Sequence, residues 1–226
     1  MASVSSGVLT LNRSHTTAIQ EHLDGVADDL LASLPPAAHL SAEERRGIIV
    51  RYTAVLEGNF IYWMTGAYLS VATEEARSII LENLHEEVRD SHPLMLRKFA
   101  MAARAVPTDS DALAVFRNLS NVRLFIGRLS PVPILVTMAF FECFIQRFMA
   151  YLAEVAQRQG SLEQEYTDVH GVCDIAHTQE LCRALAAEMT LMHEPLPEAV
   201  LLEGVEVLGT LIETIIRHSV VGLPQS

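Results

Sequence analysis

The chain has 226 residues, half of them hydrophobic and only 6% aromatic, with a formal net charge of −12. That length is enough to bury one sizeable core. The acidic balance argues against a nucleic-acid partner, because binding phosphates needs a basic face, and it suits an acidic enzyme with a small-molecule substrate.

Residues 1–14 carry no clear apolar period and are expected to be flexible. Met1 to Gly7 lacks the charged and apolar regions of a secretory signal. Cys143, Cys173 and Cys182 form no paired framework, so buried reduced thiols and a cytoplasmic location are expected. From Thr16 the pattern is helical. A first helix is expected over 16–33, stopped by Pro35 and Pro36. Ser41 with Glu44 three residues on reads as a capping box opening a helix over 42–71. Thr73 offers the next N-cap, for a helix running to about Ala105 and disturbed midway at Asp90-Ser91-His92-Pro93. Residues 109–127 form another. Ser130 and Pro131 open a strongly apolar helix that Gly160 closes. Its apolar stretch, Pro131 to Ile145, is shorter than the ~20 residues a bilayer span needs and is interrupted by Glu142, so it reads as a buried core helix and no membrane is expected. Two more helices are expected over 163–192 and 198–219, separated by Leu196-Pro197. No segment alternates as a strand. The fold class is all-α: a single-domain bundle of about seven helices over 1–226, with a functional core over about 40–190.

Chemistry concentrates in the 163–192 helix, which reads Val169-His170-Gly171-Val172-Cys173-Asp174-Ile175-Ala176-His177. Each helical residue turns about 100°, so His170, Asp174 and His177 share one stripe about 60° wide. Two imidazoles and a carboxylate on one stripe suit a borderline transition metal such as iron. Glu142 lies among Phe140, Phe141, Cys143, Phe144 and Ile145, where a carboxylate is costly to bury unless it is paired or metal-bound. A third cluster spans Glu82 to His92. The apolar stripe Ile80, Leu84, Val88 puts Glu87 beside the core face, and His92 can turn inward; Glu82, His85 and Glu86 are weaker candidates. Glu57 is a fourth, either a ligand or an arginine-paired carboxylate. Inward residues from facing helices build metal sites in helical bundles, and three histidines with several carboxylates are enough for two irons. Arg51, Arg123 and Arg128 are candidates to hold a substrate carboxylate, and Tyr62 or Trp63 to line a pocket.

These residues resemble the haem-oxygenase-like diiron oxidases and oxygenases, over roughly residues 40–190. The first ligand helix of that family gives a glutamate and a histidine, here resembling the Glu86-Glu87 element and His92. The second gives Glu142, and the third His170, Asp174 and His177. Some members add an earlier glutamate, which Glu57 matches. Family members often place more residues between the first-helix glutamate and histidine than separate Glu87 from His92, and Glu82 has the longer spacing. The resemblance implies a seven-helix haem-oxygenase-like fold, two Fe2+ ions and O2 as co-substrate, with Glu142 and Asp174 among the catalytic groups. It further implies a substrate such as an L-amino acid or a derivative, oxidised in specialised metabolism by N-oxygenation, C–C cleavage or rearrangement. A homodimer is compatible with it. Two other readings stand beside it. One is a metal-free thiaminase-like hydrolase using Cys143 beside Glu142 or Cys173 beside Asp174. The other is a non-enzymatic helical interaction protein.

Overall fold

Proline, glycine and capping residues divide the chain into helices joined by short turns. The computed structural model describes the backbone of residues 5–217 and the side chains of residues 16–172 and 175–217. Helix α1 spans Ser5–Ala32, and a 3-10 turn at Ala37–His39 follows the proline pair. Then come α2 (Ala42–Leu56), α3 (Asn59–Ser70), α4 (Glu74–Arg89), α5 (His92–Ala102) and α6 (Asp109–Ile126). Helices α7 (Pro131–Arg158), α8 (Glu165–Met189) and α9 (Glu198–Arg217) complete the bundle, and no strand occurs among the described residues. The fold is the all-α bundle expected.

Among the described residues nine α-helices stand where about seven are expected, and two local causes account for the difference. The 42–71 segment divides at Gly58, whose φ of 88° is a left-handed conformation that glycine adopts without steric cost. The segment after Thr73 divides at Ser91, also left-handed at φ 58°. Pro93 sets that break, because a continuous helix would need its missing N–H and would push its ring into the preceding turn. The first helix begins at Ser5, earlier than the flexible 1–14 stretch allows; residues 1–4 lie outside the described residues. Ser41 and Glu44 form the reciprocal capping box, the Glu44 carboxylate accepting from Ser41 N at 2.7 Å. Ser130 stands at the N-cap of α7 without a side-chain cap bond, so Pro131 in the first turn opens that helix.

Helix α7 is the axis of the bundle. It packs against α8, α9, α1, α2 and α3, and its run from Val132 to Ile145 is buried without interruption. Although α7 is long and apolar enough to cross a bilayer, most of it is enclosed by its neighbours. Helix α8 lies along α7 and also contacts α4 and α5, so these four helices surround one core region.

A buried carboxylate fixes α4 against α8. Glu188, 2% exposed near the end of α8, accepts through Oε1 from Ala72 N at 3.0 Å, Thr73 N at 2.7 Å and Thr73 Oγ1 at 2.7 Å. Those donors sit at the start of α4, where helical N–H groups have no partner within the helix. Glu188→Ala leaves them orphaned and is expected to destabilise the fold by roughly 2–3 kcal/mol, read as a lower midpoint in urea unfolding.

Candidate metal centre

The break at Ser91 sets the geometry. Glu87 ends the buried face of α4, and His92 opens α5 on the other side of the kink. Their side chains meet, His92 Nδ1 lying 2.7 Å from Glu87 Oε1. A carboxylate accepts, so Nδ1 carries a proton, and in the neutral ring Nε2 is the atom that could ligate a metal. His170 reaches the same point from α8. Its ring centroid is 4.5 Å from that of His92, and its Nδ1 is 2.8 Å from the carbonyl oxygen of Tyr166. A carbonyl cannot donate, so here too Nδ1 is protonated and Nε2 is the free donor atom. This is the usual way in which an outer hydrogen bond fixes the tautomer of a ligating histidine. Glu87, His92 and His170 each offer a ligand atom, all within 4.8 Å of one another, and all three are buried.

A second group lies beside the first. His177, two turns beyond His170 on α8, has Nε2 2.9 Å from Glu86 Oε2 and Nδ1 3.9 Å from Glu142 Oε1. Glu142 is 3% exposed, and it lines a cavity together with Glu87, His92 and His170. The adjacent residues Glu86 and Glu87 therefore serve different histidines, as the 100° turn between helix neighbours requires. The donor set is mixed imidazole and carboxylate, which fits iron.

Of the other candidates, Glu82 and His85 are exposed on α4. Glu57 ends α2 in an ion pair with Arg97, the arginine-paired arrangement that is its alternative to ligation. The side chains of Asp174 and Cys173, and residues His15 and His218, lie outside the described side chains. The arginines considered for a substrate carboxylate are engaged elsewhere. Arg51 donates to the Ile215 carbonyl, Arg123 to Asn59 and Arg128 to Glu203. Tyr62 is exposed, whereas Trp63 is buried with its ring edge-on to Phe141. Cys143 hydrogen-bonds Asp24, and burial with that bond pushes its thiol up to about 12, which leaves a poor nucleophile.

Two tyrosines that the sequence did not single out line the cavity. Tyr166 packs against His170 with ring centroids 4.2 Å apart and tilted by 37°, and its hydroxyl is 2.8 Å from that of Tyr52. Tyr166 precedes His170 by four residues, so the helical period that grouped the histidines also reaches it. The cavity holds about 30 Å³, room for roughly two water molecules.

This arrangement agrees with a match of residues 49–206 to the family of iron-containing redox enzymes. The chain belongs to that family. No curated protein matches it. Family membership makes the protein an iron-containing redox enzyme, and the buried cluster of Glu87, His92 and His170 could hold a metal ion.

Burial pushes the His170 imidazole down to about 4, against an opposing contribution from Glu87. In the folded metal-free chain His170 thus stays neutral well into acid, whereas in the unfolded chain it takes up a proton near 6.5. The unfolded state binds more protons in between, so stability falls as pH drops from about 6.5 to about 4, by up to about 1.4 kcal/mol per unit. Thermal melts of metal-free protein across this window should show the loss, and His170→Phe should reduce it.

Proposed function

We propose that the protein is a non-haem diiron oxidase or oxygenase that uses O2 to oxidise a small amino-acid-like substrate by N-oxygenation, C–C cleavage or rearrangement. The observation that carries this reading is the convergence of Glu87, His92 and His170 in one buried cavity, with Glu142 and His177 beside them. Two clusters, each with imidazole and carboxylate donors, suit two metal ions better than one. His92 and His170 form one set with Glu87, and His177 forms the other with Glu86 and Glu142.

Bound Fe(II) would supply the electrons that reduce dioxygen, chemistry that no amino-acid side chain performs alone. The chain's own contribution is to hold and shield. The Tyr166 carbonyl and the Glu87 carboxylate accept from the Nδ1 atoms of His170 and His92 and so fix the orientation of both rings. Leu56, Phe60, Phe141 and Ile145 wall the cavity with hydrocarbon and exclude bulk water from the reacting groups. The acidic surface and cytoplasmic setting are part of the same proposal, as is a compact L-amino acid or derivative as substrate.

Anaerobic loading with Fe(II), brief exposure to O2 and product analysis with candidate amino acids test the proposal. Uptake should approach about two irons per chain, and product should require both Fe(II) and O2. Glu142→Ala and His177→Ala should cut iron uptake to about one per chain or less and abolish turnover. Turnover by metal-stripped protein without O2 would overturn the reading.

A further inference from the structure

Asn83 is 2% exposed on α4, and neither its Nδ2 nor its Oδ1 has a hydrogen-bond partner among the described residues. A buried amide with both ends unpaired is costly, and the large majority of buried polar side chains avoid it. An apolar residue would fill the place more cheaply, so the amide calls for a reason beyond packing.

Its position supplies one. Asn83 precedes Glu86 by three residues and Glu87 by four. About the α4 axis, Glu86 lies about 60° to one side of Asn83 and Glu87 about 40° to the other. Helical side chains lean toward the N-terminus, so both carboxylates reach back over the turn that carries Asn83. An amide and a carboxylate four residues apart on a helix are within natural hydrogen-bonding reach. Here that bond is not made: Glu87 Oε1 is turned to His92 Nδ1 and Glu86 Oε2 to His177 Nε2.

We propose that Asn83 is a positioning residue of the metal centre, whose Nδ2–H donates to the Glu87 carboxylate when metal is bound and fixes how that carboxylate is presented. Ligating carboxylates in metal sites are themselves held by outer hydrogen bonds, and losing one typically weakens metal binding 10- to 100-fold. Asn83 is the buried donor on α4 without other employment and in register for this task. The inference rests on the metal-binding reading above and concerns one residue that need not touch the metal.

The test uses the full-length chain and two apolar variants, Asn83→Leu and the smaller Asn83→Ala, titrated anaerobically with Co(II) as an optical probe and with Fe(II) followed by thermal melting. Metal-free Asn83→Leu should melt no lower than the wild type, because an unpaired buried amide has been removed. Both variants should bind metal about 10- to 100-fold more weakly and show a smaller metal-induced rise in melting temperature. In a Glu87→Ala background the same substitutions should change affinity little, since the amide acts through that carboxylate. Wild-type affinity in both variants, or an equal loss with and without Glu87, would overturn the assignment while leaving the metal centre intact. A Leu variant that fails to fold, joined to an Ala variant with wild-type affinity, would do the same. A wild-type chain that takes up no metal would overturn the metal reading and this inference with it.

Discussion

Five ionisable side chains cluster together in the hydrocarbon interior of this bundle, and the rest of the architecture answers to them. Glu87, His92, Glu142, His170 and His177 are each no more than 6% exposed. Burying any one of them alone would cost several kcal/mol. Hydrogen bonds offset that cost: Glu87 pairs with His92, Glu86 with His177, and His170 with the Tyr166 carbonyl. A protein selected only for stability would place leucines here. The polar cluster makes sense as a site held ready for a cation, in keeping with membership of a family of iron-containing redox enzymes.

Such a cluster needs a stiff frame, because its donors come from segments far apart in the chain. Helix α7 supplies an almost wholly apolar wall interrupted by one glutamate, and α8 lies along it. The long side of α4 is then aligned by Glu188, whose three accepted hydrogen bonds stand at the far end of the helix pair from the metal cluster. The arrangement spans α4 and α8 like a clamp at one end and a joint at the other. Small rotations of either helix would separate Glu86 from His177, so the remote anchor bears on the chemistry as well as on folding.

Much of this was legible in the sequence. Prolines, glycines and the Ser41–Glu44 box marked most helix ends, because those residues act through local backbone chemistry. The stripe of His170 and His177, and a lone glutamate in the apolar context of α7, depend only on helical period and burial cost, and these too are local. What escaped was relational. Glu57 sits in an apolar neighbourhood, yet its partner Arg97 lies 40 residues away and no periodicity announces it. Periodicity also left open which of Glu82, Glu86 and Glu87 accompanies His92. Glu87 meets His92 and Glu86 meets His177, since the cluster is wide enough to meet two neighbouring directions of α4, whereas Glu82 is exposed. Tyr52 enters the cavity from α2, and only the packing of α2 on α5 and α7 puts it there.

The left-handed Ser91 has a consequence for how such sites vary. Within one uninterrupted helix, adding or removing a residue between glutamate and histidine would swing one of them about 100° away from its partner. Here the two are joined through a bend, with Ser91 at φ 58° and a new helix starting at His92. Glutamate and histidine thus belong to two rigid bodies coupled by a short connector. The connector can change in length while each body keeps its own alignment to α8, much as a rope lengthens between fixed posts. The number of residues between a carboxylate and its histidine is then a poor signature of this kind of centre. The more durable signature is the α8 stripe, where the unbroken helix leaves spacing no freedom.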